Sequence, residues 1–396
     1  MTRPSLLAAA LTLAGAAPAL AADPVDIRAT VIRVDRDRLP PISRLDLPPD
    51  DLGFQGARLA NADNATTGAF MGQNFITDEV AVSAEDAVAA VQAAIAKGSH
   101  FIVTLADAPT TLAMADAAGD QALIVNALAA DDALRGADCR SNLIHTAPSD
   151  AMLTDALAQF LVWKKWDDWF LIAGSHPADQ ALAAAYRRAA TKFGARITEE
   201  RTFEDTGGAR RTDTGHVQVQ AQMPVFTQNA AAHEVVIAAD TAGVFAAYLP
   251  YHTWDARPVA GSAGLVPRSW HPALEAWGAT QFQNRFEAQS GRAMRDQDYQ
   301  VWMALRLLGE AATRANTGDW AALDAFIRSD KMELAAFKGQ KLTIRDWDGQ
   351  LRQPVLLTTG ILTASVSPQD AFLHQVSQLD TLGTDRPETT CTKGIR

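Results

Sequence analysis

The residues of this chain best placed to do chemistry are oxygen-bearing side chains that follow short apolar runs. Asp107, Thr110 and Thr111 follow one run, Asn126 and Asp131 the next, His176 and Asp179 a third, and Asp240 and Thr241 a fourth. If those runs are strands of a doubly wound sheet, these positions sit at the carboxyl ends where such sheets bind ligands. They form the expected ligand-binding set. Hydroxyls at helix starts hold anions alongside free amides, whereas converging carboxylates require a cationic ligand, a hard metal ion or a nearby arginine. Asp107, Asp131 and Asp240 are the expected metal set, and their oxygen chemistry suits calcium or a lanthanide. The same acids have a second reading as helix caps. Tyr251 and Trp254, in the aromatic run from Tyr248 to Trp254, offer a stacking wall for an aromatic or quinone-like ligand or, equally, packing for a hinge.

Catalytic signatures are weak. Ser175 and His176 are adjacent, but no Gly-x-Ser-x-Gly elbow surrounds them, and sequence neighbours rarely reach triad geometry. Asp346-Trp347-Asp348-Gly349 opens like a calcium loop but lacks the glycine and the closing glutamate of one. Dinucleotide, P-loop and zinc-protease patterns are missing too. We therefore expect a binding protein without a covalent cofactor rather than an enzyme.

The elements that would position these residues alternate in type. Apolar or β-branched runs occur at Ile27–Val34, Asn74–Glu79, Phe101–Thr104, Ala122–Asn126, Trp169–Ala173, Arg196–Phe203, Val235–Ala239 and Pro258–Gly261. Between them lie helical patterns such as Ser83–Lys97, Ala151–Lys165 and Pro177–Phe193. Repeated strand, helix, strand order predicts an α/β fold of two doubly wound, Rossmann-like lobes joined by a hinge. Ser83 is the expected cap of its helix, Gly98 and Gly194 end theirs, and Pro148-Ser149-Asp150 is the expected crossover. Late in the chain come three helical patterns, at 273–289, 297–315 and 320–329. A hairpin is expected to pair Lys341–Arg345 with Gln353–Thr358 around Asp348-Gly349. The expected division is 23–148 with about 262–335 for lobe I, 149–261 with about 336–364 for lobe II, and 365–396 as a surface tail.

Residues 1–22 read as a secretory signal peptide: Arg3 is its one charge, an Ala-rich apolar run follows, and Ala19-Leu20-Ala21 suits cleavage. Without a cysteine near that point, a lipid anchor is not expected. The chain has a net charge of −11, which disfavours nucleic acid and anionic lipid. Its length of 396 residues exceeds what one core usually supports. In an oxidising compartment, Cys139 and Cys391 are expected to form a disulfide.

This layout resembles the type I periplasmic binding proteins, specifically the leucine, isoleucine and valine receptors of ABC importers. Gly53–Ala60, Phe101-Ile102-Val103 and Lys338-Gly339 carry that likeness. Trp163–Trp166, Tyr248–Trp254, Arg257–Gly261, Trp277-Gly278-Ala279, Trp347–Pro354 and Leu379–Gly383 are similar to a narrower set. It comprises substrate-binding proteins associated with PQQ-dependent alcohol dehydrogenase systems, some of them in lanthanide uptake clusters. The chain departs from the amino-acid receptors in the long, charged, Pro-rich stretch from Arg36 to Pro49, and in the acid Asp107 heading its ligand loop.

The resemblance implies a periplasmic, monomeric solute-binding protein that closes on a small ligand linked to alcohol oxidation and docks on an ABC permease. Two alternatives stay open. One is a receptor for a lanthanide, or its chelate, with calcium or lanthanide as bound ion. The other is an accessory protein or enzyme partnered with a PQQ-dependent dehydrogenase.

Overall fold

The computed structural model describes residues 24–36, 41–207 and 215–394; the expected signal peptide lies outside them. The first lobe is a parallel five-stranded sheet built from β1 (Val25–Val34), β2 (Gln73–Val82), β3 (Phe101–Leu105), β4 (Leu123–Asn126) and β5 (Leu143–His145), in the order β2-β1-β3-β4-β5. Every residue of β3 and β4 is buried, as befits central parallel strands covered on both faces. The interleaved helices are α1 (Phe54–Met71), α2 (Ala87–Ala96) and α3 (Ala108–Ala118).

The chain then crosses at Pro148-Ser149. Ser149 caps α4 (Asp150–Trp163), its hydroxyl accepting from the Met152 amide at 3.2 Å. The second lobe's parallel sheet follows, with β6 (Asp168–Gly174), α5 (Pro177–Phe193), β7 (Arg196–Phe203), α6 (Gly215–Thr227), β8 (Val235–Ala239), α7 (Leu249–His252) and β9 (Val259–Gly261) in strand order β7-β6-β8-β9. Pro177 at the first helical position and Gly194 at φ +81° bound α5 as the sequence predicts.

After β10 (Val266–Arg268), the chain re-enters the first lobe through α8 (Ala279–Ser290), α9 (Asp296–Ala315) and α10 (Trp320–Ile327). α9 lies against α1 in the core on one face of the first sheet, while α2 and α3 cover the other. The helices meet so closely that a Cβ on Gly56 would stand 1.9 Å from the Asp298 carbonyl oxygen. β11 (Leu334–Ala335), β12 (Lys341–Leu342), β13 (Val355–Thr358) and β14 (Thr363–Ser367) complete the fold.

Several expectations need correction. The helix expected from Ser83 starts at Ala87, because the Ser83 hydroxyl accepts from the Asp86 amide and closes a preceding turn. The expected hairpin is reduced to a bridge between Ile344 and Leu351. Its two arms belong elsewhere: β12 pairs with β11, and β13 lies antiparallel between β10 and β14. Ile344 and Leu351 pack in the first lobe's core, not the second's, because Gln350 continues that sheet beside His145. The tail does more than cover a surface: Leu382 packs in the second lobe's core, and Asp380 is buried against Arg345 and Arg352, at 2.9 and 2.7 Å. Cys391 then bonds Cys139, as expected.

Lys338 is buried between the segment that follows β10 and the one that precedes β13. Its ammonium group donates to the carbonyls of Ser269 and Pro354 and lies 5.3 Å from the Tyr299 ring centre. Burial pushes its pKa down from 10.5 to about 7, with Asp296 pulling the other way. Between those values the unfolded chain binds a proton that the native protein does not, so stability rises with pH across this window. Relative to Lys338→Met, the wild type is expected to gain roughly 1–3 kcal/mol between pH 7 and pH 10. Urea unfolding of both proteins at the two pH values measures this; parallel curves would exclude it.

Candidate functional site

The stretch after β1 and the start of α9 in one lobe face the loops after β8 and β9 in the other, with a cavity of about 590 Å³ between them. A smaller chamber of about 270 Å³ adjoins it on the first lobe, and the two share Pro48, Leu52 and Gln297 as lining. This is the volume of a small-solute site. The larger chamber draws on the 41–48 segment and Arg295 from the first lobe, and on Asp240–Gly243 and Ser262 from the second.

The second-lobe wall is fixed from behind. Asp179 is fully buried and its carboxylate accepts from the Thr241 amide and hydroxyl, both at 2.6 Å, and from the Ala242 amide at 3.1 Å. Asp240 accepts from the amides of Val244, Phe245 and Ala246 at 2.7–2.8 Å. Burial raises the Asp240 pKa and those amides hold it down in part, leaving it above the usual carboxylate range. The Asp240 amide donates to the Ser262 hydroxyl at 2.9 Å. The loop is thus rigid before any solute arrives.

On the first lobe, each arginine of the cavity wall has a carboxylate beside it. Arg33 pairs with Asp35 at 2.7 Å and lies over the Phe54 ring, and Arg36 reaches Asp107 at 3.3 Å. Arg295 donates to the Leu47 carbonyl at 3.0 Å and approaches Asp46 at 3.6 Å. Asp107 caps α3 by accepting from the Thr110 amide at 3.0 Å. Burial raises the Asp107 pKa, but the Thr110 hydrogen bonds and the Arg36 charge outweigh it and hold the group below its ordinary value.

Of the ligand-binding residues expected from sequence, Asp240 and Thr241 line the cavity, and Asp107 stands behind Arg36. Thr110, Thr111, Asn126, Asp131, His176 and Asp179 serve the fold. Thr111 is buried, with its hydroxyl on the Ala106 carbonyl at 3.4 Å. Asn126 is buried in a turn, accepting from the Leu128 and Ala129 amides. Asp131 heads a short 3-10 turn. His176 caps α5 and pairs with Asp205 at 2.8 Å. Tyr251 and Trp254 are 90% and 55% exposed, and neither lines the cavity.

The expected metal set of Asp107, Asp131 and Asp240 is not brought together. Among the described residues, no group of three or more His, Cys, Asp or Glu side chains could hold a metal ion. The carboxylates of Asp107 and Asp240 are turned to backbone amides instead. Capping and metal binding use the same oxygens, and here the helix and loop starts have them.

Sequence reasoning missed Arg33, Arg36, Leu52, Arg295 and Gln297. The long stretch after β1 was a visible signal, since its length and charge set it apart. Arg295 and Gln297 gave none, because they come from the start of α9 rather than from the end of a strand.

Solved structures similar to this chain share its architecture. A branched-chain amino acid ABC transporter periplasmic ligand-binding protein from Burkholderia xenovorans aligns at 14% identity over 92% of this chain and 99% of its own, with a TM-score of 0.70. A solute-binding protein of an ABC transporter from R. palustris, in complex with benzoate, aligns at 12% identity over 93% and 100%, with a TM-score of 0.64. An ABC transporter substrate-binding protein from Desulfitobacterium hafniense, in complex with Leu, aligns at 15% identity over 87% and 100%, with a TM-score of 0.65. At these identities the likeness is one of fold. No curated protein matches the chain. A periplasmic binding protein family profile matches residues 54–361, which takes in most of both lobes and the second-lobe wall of the cavity but not the 33–52 residues of its first-lobe wall. With its two α/β lobes around a solute-sized cavity, the chain belongs to the periplasmic binding protein family, whose members bind solutes and are not enzymes.

Proposed function

We propose that this protein is the periplasmic receptor of an ABC importer and that its two lobes close over a small carboxylic acid. The observation that carries this reading is Arg295 in the wall of the larger chamber. Among the described residues that line it, the charged side chains are Asp46, Asp240 and Arg295. Asp46 stands beside Arg295, and Asp240 is held by three amides. The Asp240 oxygens are thus taken up by the loop rather than offered to an ammonium group or a metal ion, and Arg295, with one terminal nitrogen on the Leu47 carbonyl and the other near Asp46, keeps further N–H donors for an anion.

The benzoate and leucine bound by two similar receptors are both carboxylates. The segments resembling the PQQ-associated subfamily, from Trp163–Trp166 to Leu379–Gly383, support a solute that is an acid product of alcohol oxidation. Export through the N-terminal signal and delivery to a permease complete the reading. Closure would be driven by contacts that only the shut form makes.

Thermal denaturation with short aliphatic and aromatic acids, their parent alcohols, leucine, Ca²⁺ and La³⁺ tests it. An acid at 100 times its Kd is expected to add about 2.7 kcal/mol. Stabilisation by La³⁺ or Ca²⁺ with none by any acid would replace this reading with that of a metal receptor. Native mass spectrometry of freshly purified protein would identify a retained solute directly.

A further inference from the structure

The two chambers meet at a neck formed by Pro48, Leu52 and Gln297. Pro48 and Leu52 are apolar, so the one side chain there able to form hydrogen bonds is the Gln297 amide. Its neighbours are all engaged. Asp296 accepts from Ser269, Trp270 and Arg268, and Asp298 accepts from Gly53, Arg292 and Arg295. These bonds fix the first turn of α9, which is anchored on both sides. Gln297 itself is half-buried, and its side chain makes no hydrogen bond within the described protein. A carboxamide offers an acceptor oxygen and two N–H donors at one place. Confining it in a closing cleft is costly unless a solute atom pairs with it.

We propose that Gln297 determines specificity by reading a second polar group on the solute. The solute would then be an acid that spans the neck, with an apolar body against Leu52, Leu105 and Leu128 and a hydroxyl or oxo oxygen at the Gln297 amide. This rests on the receptor reading above. A carboxamide aimed at that oxygen favours an oxygen-bearing acid over its plain hydrocarbon counterpart, because the plain acid leaves the amide unpaired.

The test is calorimetric titration with acid pairs that differ by one oxygen, such as benzoate with hydroxybenzoate and butyrate with hydroxybutyrate, on wild type, Gln297→Leu and Gln297→Ala. Wild type is expected to prefer the oxygenated member of at least one pair, and both variants to lose about tenfold of that preference while binding the plain acid at least as tightly as wild type does. Urea midpoints of the variants establish that each is folded; because the side chain bonds nothing internal, both are expected to stay near wild type. An unchanged preference in the variants, or equal affinity for both members in wild type, overturns the role of Gln297 and leaves the receptor reading standing. Failure of wild type to bind any acid overturns both.

Discussion

Asp298→Ala is expected to destabilise the protein by about 3–5 kcal/mol and to weaken solute binding beyond what the loss of stability explains. Asp298 is fully buried. Its two oxygens accept from the Gly53 amide at 2.8 Å, the Arg295 amide at 3.1 Å and both terminal nitrogens of Arg292, at 2.7 and 2.9 Å. Removing it strands a part-buried guanidinium and two backbone donors, and breaking a buried pair in this way costs several kcal/mol. Arg292 keeps Asp51 at 2.9 Å, which limits the loss. Gly53, at φ +84°, starts α1, and Arg295 starts α9, so one carboxylate holds together the two helix starts that flank the neck of the cavity. Asp298→Asn keeps the shape and one acceptor and is expected to lose about half as much. Urea midpoints give the stability, and titration with the best acid gives the affinity. A loss below about 1 kcal/mol for the alanine variant would show that the site tolerates the vacancy, contrary to this account.

Removing the disulfide, in a Cys139→Ser, Cys391→Ser double variant, is expected to cost about 3–5 kcal/mol. The bond closes a loop with a sequence separation of 252, and the constraint it places on the unfolded chain grows slowly with loop length. The loss will be greatest locally in the tail, whose other anchors, apart from the buried Leu379 and Leu382, are polar. Asp380 sits against Arg345 and Arg352, the Gly383 amide donates to Asp155 at 2.8 Å, and three guanidiniums, of Arg345, Arg352 and Arg386, lie 4.8–5.3 Å from the Trp347 ring centre. Those contacts join the second lobe's Asp155 to the first lobe's Trp347 segment. Hydrogen exchange is therefore expected to show the 378–394 segment opening before either sheet does. Uniform exchange of tail and sheets in the variant would mean that the tail has no stability of its own to lose.

How far the sequence foretold these features depended on how local their causes are. β8 at Val235–Ala239 and α5 at Pro177–Phe193 were legible to the residue, because an apolar run, an initial proline and a terminal glycine act within a few positions. β5, only Leu143–His145, was too short to give a pattern. The hairpin around Asp348-Gly349 misled because its turn is real but short, and which strand each arm joins is decided by partners nearly a hundred residues away, such as Val266–Arg268 for β13. At the site, the loop after β8 was found by rule. The acids were over-read, because an aspartate that caps amides and one that meets a ligand look alike in one dimension. Gln297 was invisible, since what marks it is the lack of an internal partner.

The interleaving of the lobes also governs how the molecule can be assembled. The first lobe's core reaches from Ile27 to Leu356, and the second's takes in Val355, Leu357 and Leu382. A chain emerging N-terminus first therefore presents both parallel sheets before either has its last apolar cover. Until residues 355–382 arrive, each lobe exposes a face that another nascent copy could bind instead. Shortening the C-terminus by even forty residues is thus expected to yield aggregated chains rather than a trimmed receptor, and the two lobes cannot be separated into independent halves by a single cut.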